Sequence, residues 1–346
     1  MLKNITIAIA LSLSLVSCDS DSSSSLRAEV STCHIIPDCK QTMPTLEKAK
    51  GFSGLYKKAI SSFGPASHRG RDVLVLEGQE IWIHAKFSYG LLDSDLKNEP
   101  VDIYFSQGCD SALRRVGQTL TTVDGQHETI EGVEDTGGRI FVNLAELGIK
   151  SLPLGRHRVV LVVPADNSST ELYIDVVKKD SPIAVSDVDG TLTSSELAAA
   201  SQLLGISPTA HAGAADALTI LHNKGYHIVY LTARAEWFSD KTRTWLSANK
   251  FPPGTVRTTQ SKAGFNGAQA ANYKINELSY LKDNVGLKVE YGFGNKASDI
   301  AAYAEIGVPS DNSFFFMLPE AAPTAVNVRD YRDLLDRFEQ SPKICN

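Results

Sequence analysis

The stretch 181-SPIAVSDVDGTLTSSE-196 organises the reading of the whole chain. A short apolar run, Ile183 to Val185, delivers Asp187 and Asp189 into a turn containing Gly190. Such a pair is either a solvated acidic turn or the carboxyl end of a strand in a parallel sheet, where ligands bind. The residues that follow favour the second. "IAVSD", "YHIVYLTAR", "KVEYGFGN" and "SFFFML" read as strands. "AHAGAADALTILHNKG", "SDKTRTWLSANK", "YKINELSYLKDN" and "ASDIAAYAEIG" read as helices between them. The first helix carries Ala214, Ala217, Leu218 and Leu221 on one face and stops at Gly225, and the third sets Ile275, Leu278 and Leu281 in register. This alternation predicts an α/β, Rossmann-like domain with a parallel sheet over residues 181–346.

Upstream the rhythm differs. "DVLVLEG", "EIWIHAKFSYG", "VDIYFSQG", "RIFVNL", "HRVVLVVPAD" and "TELYIDVV" are short β-branched or aromatic runs punctuated by Gly, Asp and Asn. They predict an antiparallel, immunoglobulin-like β-sandwich over residues 72–180. Before it, "TLEKAKGFSGLYKKAISSFG" reads as a helix within a segment, 18–71, that otherwise resembles a tether.

Polar residues recur at the ends of the α/β elements: Asp187 and Asp189, then Thr232 and Arg234 in "YLTAR", then Lys274 at the start of a helix, then Asn295 and Asp299 in "GFGNKASD". In this order they resemble the four motifs of the haloacid dehalogenase superfamily. "DVDGTLTSSE", "YLTARAEWFSDKTRTWL" with "FPPG", "YKINEL" and "GFGNKASDIAAYAEIGVP" are similar to the catalytic domain of lipin-type (LNS2) phosphatidate phosphatases, over about 181–318. An immunoglobulin-like domain accompanies the catalytic domain in that family as well.

The resemblance implies a magnesium-dependent phosphatase. Asp187 would attack phosphorus and form an aspartyl-phosphate, and Asp189 would protonate the leaving alkoxide and then activate water. Gly190 and Thr191 would line the phosphate, Thr232 would donate to a phosphoryl oxygen, and Lys274 would hold Asp187 ionised beside the transferred group. Arg234 would bind substrate or, more simply, brace its loop. Asp187, Asp189, Asn295 and Asp299 would hold a hard, oxygen-ligated Mg²⁺ that offsets repulsion between carboxylate and phosphate. Many superfamily members have an acid where Asn295 stands. Between Asp189 and Thr232 lie 42 residues, and between Arg234 and Lys274 lie 39, too few for a large folded cap once a helix and strand are subtracted. An uncapped site suits a bulky or membrane-embedded substrate such as phosphatidic acid. Two alternatives are a phosphatase for soluble monoesters and a non-catalytic module that binds phosphatidic acid.

The amino terminus points to a membrane as well. Lys3, the apolar run Ile5 to Val16 and "LVSC" ending at Cys18 form a signal segment over residues 1–17, too short to span a bilayer. "LVSC" resembles a bacterial lipobox, in which Cys18 is lipidated and becomes the mature terminus, and "DSDSSSS" follows as a tether. The expectation is a protein of the bacterial cell envelope, lipid-anchored and periplasm-facing. The formal net charge of −6 and the lack of a basic run argue against nucleic acid as a partner. Cys33, Cys39, Cys109 and Cys345 remain, an even number in an exported chain. A Cys33–Cys39 loop with a Cys109–Cys345 tie is one of three connectivities; a zinc site is disfavoured because only His34 is nearby. The eight histidines form no metal or triad pattern. Trp237 and Phe238 either line the entrance or pack.

Overall fold

The computed structural model describes residues 36–195, 207–318 and 325–344. The signal segment, Cys18, most of the tether, Cys33 and Cys345 lie outside the described residues. The first helix, α1, covers only Leu55–Ser62. The expected helical stretch from Thr45 is not helical, because Gly51 and Gly54 take φ of 76° and 86°, a region where the right-handed helix cannot continue.

The sandwich is built from β1 (Arg69–Arg71), β2 (Val73–Leu76), β3 (Trp82–Lys86), β4 (Ser88–Tyr89), β5 (Ser94–Asp95), β6 (Pro100–Ser106), β7 (Arg114–Leu120), β8 (Arg139–Asn143), β9 (Gly155–Val162) and β10 (Ser169–Val177). One sheet has the order β1-β3-β8 and the other β2-β10-β9-β6-β7, with β4 and β5 forming a small hairpin. Alternation makes the core: Val101, Ile103 and Phe105 of β6 point inward while Asp102 and Tyr104 stay half-buried. Each such fully buried aliphatic side chain contributes about 1.5–3 kcal/mol. One pairing departs from the antiparallel expectation, since β2 runs parallel to β10. The cystine joins Cys39 to Cys109, 70 residues apart. This corrects the Cys33–Cys39 and Cys109–Cys345 pairing.

The second domain has the sheet order β13-β12-β11-β14-β15-β16, all parallel, from β11 (Pro182–Ser186), β12 (His227–Leu231), β13 (Thr255–Arg257), β14 (Lys288–Gly294), β15 (Ser313–Phe316) and β16 (Val326–Val328). Alternate residues of β11 feed two cores. Ala184 packs with α2 (Ala214–Asn223) and α3 (Ser239–Ala248). Ile183 and Val185 pack with α4 (Gly267–Ser279) and α5 (Ala297–Ile306). Burial on both faces explains why these strands read as continuous apolar runs. A short helix, α6 (Leu335–Glu339), adds Phe338 to the first of those cores.

Candidate functional site

β11 is central in its sheet, and its neighbours on either side, β12 and β14, carry two further motifs. Asp187 is 4% exposed and its N–H donates to Phe293 of β14 (2.9 Å), fixing the turn against the neighbouring strand. Gly190 has φ 78°, so the turn needs a residue without a Cβ penalty there. Lys274 Nζ donates to Asp187 Oδ1 at 2.7 Å and also to Asp299 Oδ1. Thr191 Oγ1 lies 3.2 Å from Asp187 Oδ2 and 3.1 Å from Asn295 Oδ1. Thr191 itself is fully buried, and its carbonyl accepts from Tyr331 (2.8 Å).

Lys274 sits inside α4 rather than at a helix start, because the helix begins at Gly267, before the first apolar repeat. It is 3% exposed. Burial pushes the ammonium pKa down, but Asp187 and Asp299 together raise it. Asp187 moves the opposite way. Burial raises its carboxyl, Lys274 pulls it down, Asp299 and Asp189 push it up, and the net lies at about 6.

Asp189 is engaged differently from the expectation. Arg234 grips it as a fork, Nε to Oδ2 and Nη2 to Oδ1, both at 2.8 Å. The same guanidinium donates to Thr242 of α3 (2.9 Å), and its face lies 5.8 Å from the Phe238 ring centre. Thr232 Oγ1 stands 3.5 Å from Asp189 Oδ2, a marginal contact. Arg234 thus braces its loop, and does so by holding a candidate catalytic carboxylate.

Asp299 is fully buried at the third position of α5, where Oδ2 accepts the N–H groups of Asn295 and Lys296 (both 3.0 Å) in a capping box. Gly294 is required for this. A Cβ there would fall 2.4 Å from Asp299 Cβ. Among the described residues, no group of three or more His, Cys, Asp or Glu side chains converges as a metal site. The four residues expected to hold Mg²⁺, Asp187, Asp189, Asn295 and Asp299, are engaged to different degrees. The oxygens of Asp187 and Asn295 meet at Thr191, and Mg²⁺ commonly uses one or two carboxylates with water and substrate oxygens. The Asp189 and Asp299 side chains are occupied by Arg234, and by Lys274 and the helix terminus.

Trp237 and Phe238 stack with ring centres 4.0 Å apart, and the Trp237 indole donates to the Lys262 carbonyl (2.9 Å). Phe238 is buried and packs. A cavity of about 870 Å³ opens elsewhere, between Lys40, Tyr173 and Phe251, and none of the candidate catalytic or metal-holding residues lines it.

Sequence reasoning missed the residues that hold the site from the sandwich side. Glu236, two residues past Arg234, accepts from Arg139 Nη1 (2.7 Å) and Arg69 Nη2 (3.2 Å). Glu277, three residues past Lys274, accepts from Arg71 (2.7 Å). Asp72 accepts from Arg243 (2.8 Å) and from the N–H of Val256 (2.8 Å). The one available signal was the density of charge in Arg69–Asp72, which lies just before an apolar strand.

Residues 184–317 match the domain family described as PITM 1-3, LNS2 domain, and residues 66–176 match PITM 1-3, beta-sandwich domain. Protein retinal degeneration B of Drosophila melanogaster is 29% identical over 250 residues, 72% of this chain and 18% of that protein. Membrane-associated phosphatidylinositol transfer protein 1 of Homo sapiens is 27% identical over 251 residues, again 72% and 18%. Membrane-associated phosphatidylinositol transfer protein 3 of Homo sapiens is 26% identical over 255 residues, 73% and 24%. The chain spans about a fifth of the length of these relatives. It carries a β-sandwich domain followed by an LNS2 domain.

Proposed function

We propose that the chain is a lipid phosphohydrolase that cleaves a phosphate monoester at a membrane surface, phosphatidic acid foremost, giving diacylglycerol and phosphate. The observation that carries this reading is Asp187, a carboxylate at the end of the central strand with one oxygen on Lys274 and the other 3.2 Å from Thr191. In this reading Asp187 attacks phosphorus, the ester P–O bond breaks, and the alkoxide takes a proton held by Asp189. Water then cleaves the aspartyl-phosphate and returns its proton to Asp189. Asp189 must first leave the Arg234 fork, and the freed guanidinium then offers paired N–H donors to phosphoryl oxygens. Lys274 keeps a positive charge beside Asp187 throughout. Asp187 and Asn295 would hold Mg²⁺, which supplies charge neutralisation when bound.

A second reading is binding of a phosphate-bearing lipid without turnover. The Asp189–Arg234 fork favours it, as do relatives named as membrane-associated phosphatidylinositol transfer proteins. Full-length protein with phosphatidic acid in mixed micelles and Mg²⁺ separates the two. Phosphate release lost in Asp187→Asn supports the enzyme, and lipid retention without release supports the binder. Turnover of small soluble esters with indifference to phosphatidic acid sinks both lipid readings. We also propose lipidation of Cys18 and a periplasm-facing position on a bacterial membrane. Incorporation of a fatty-acid label by the wild-type chain but not by Cys18→Ser is the expected result.

A further inference from the structure

The β4–β5 hairpin ends in a turn, Gly90 to Asp93, whose central residues Leu91 and Leu92 are 102% and 88% exposed. Phe63, at the end of α1, is 78% exposed and adjoins them, since a Cβ on Gly64 would lie 2.8 Å from Gly90 Cα. Isolated exposed leucines are ordinary, but three adjoining large apolar side chains at a protruding turn are not.

The turn is also held rigidly. The Gly90 N–H donates to Pro65 (3.0 Å), and the Asp93 N–H closes the turn on Gly90 (3.1 Å). The Asp93 carboxylate takes the buried Arg69 guanidinium at 2.5 and 2.8 Å and also Ser88. Burial pushes this carboxyl up, yet the Arg69 fork outweighs it and holds the group well below the usual range. A buried fork that fixes two leucines in solvent adds nothing to the core, whereas an apolar phase would bury both.

We propose that Leu91, Leu92 and Phe63 form a tip that inserts into the interfacial region of an anionic lipid bilayer beside the catalytic site. The proposal rests on the reading that the substrate is held in a membrane. Two observations select lipid as the occupant. The first is charge. The chain as a whole is acidic, but the acids around the tip are neutralised: Asp93 by Arg69 and Lys262, Asp95 by Lys86, Glu99 by Lys57. Half-exposed Lys262 stands at its rim, the kind of cation that anionic headgroups attract.

The second is continuity with the site. Arg69, which pins the tip through Asp93, also contacts Glu236, and Glu236 is two residues from the Arg234 that grips Asp189. Lys262 spans the same gap, with Nζ donating to the Asp93 carbonyl (3.0 Å) and its own carbonyl accepting from Trp237. The tip thus shares its footing with the loop that closes one side of the site.

The test compares the full chain carrying Cys18→Ser, so that acylation plays no part, with the same chain carrying Leu91→Ser and Leu92→Ser. Both are floated with vesicles of phosphatidylcholine and phosphatidylglycerol. The double variant should partition at least about tenfold more weakly while keeping its unfolding midpoint and its turnover of a soluble phosphate ester. Equal partitioning of the two proteins overturns the proposal. A concentration-dependent self-association that only the double variant loses also overturns it, making the tip a contact between copies. Absence of turnover in both proteins defeats the phosphohydrolase reading alone, because the flotation result does not depend on it.

Discussion

Two regions of this molecule bury acids against bases and reach opposite outcomes. At the seam between the domains, Glu236 and Asp175 meet arginines that satisfy both of their oxygens. Glu236 lies between Arg69 and Arg139, and Asp175 takes both Nε and Nη2 of Arg156 at 2.7 and 2.8 Å. Burial pushes both carboxyls up, but the guanidiniums outweigh it and hold them below the ordinary range. At the carboxyl edge of the parallel sheet, one lysine serves Asp187 and Asp299 together, with Asp189 nearby. Burial wins there, and the Asp187 carboxyl rises to about 6. A saturated pair is architecture. A carboxylate that shares its one cation with a second acid is available to a reaction.

This contrast predicts different mutant phenotypes. The largest effect belongs to the edge. Asp187→Asn should lower phosphate release from phosphatidic acid by at least about 10³-fold while the fold survives, as steady-state assays and thermal melting would read. Next comes the seam. Glu236→Gln leaves Arg69 and Arg139 buried without their shared acid, and should cost about 3 kcal/mol in denaturant unfolding.

A third effect concerns His227, which sits at the seam with Nε2 2.8 Å from Thr255 and 3.6 Å from Asp175. Burial outweighs Asp175 and lowers its pKa to about 4, and burial does the same to His68 and His222. Below the ordinary value of 6.5 the unfolded imidazole gains a proton that the folded one refuses until about 4, so stability falls as pH drops through that window. The loss should be of the order of 1 kcal/mol per pH unit for each histidine, and His227→Gln should make the slope shallower by one such contribution. Smallest of all, Arg332→Gln breaks the exposed Arg332–Asp330 pair and should leave the unfolding midpoint unchanged.

The parallel domain was legible because β11, β12 and β14 are buried on both faces and read as apolar runs. β13 and β16 were missed, since three residues each, one strand ending in Arg257 and the other centred on Asn327, give no periodic signal. β7 was missed because it is an edge strand whose residues Arg114–Leu120 are largely exposed. The residues of the site could be listed from their order along the chain, but not their pairings. Arg234 finds Asp189 across 45 positions and Cys39 finds Cys109 across 70, and neither distance leaves a local trace. The capping role of Asp299 was readable. An acid at the third position of a helix favours the backbone donors of that terminus, and this competes with ligation of a metal.

Asp72 has a further consequence, one of timing. Its carboxylate is fully buried, and its partners are Arg243, the N–H of Val256 and the N–H of Tyr173. A chain emerging end-first presents Asp72 long before two of those three exist. Until the second domain docks, that edge of the sandwich stays open and the carboxylate is hydrated. A truncation that keeps every sandwich residue should therefore leave Asp72 exposed to water, with the N–H of Tyr173 as the one of these three partners it retains.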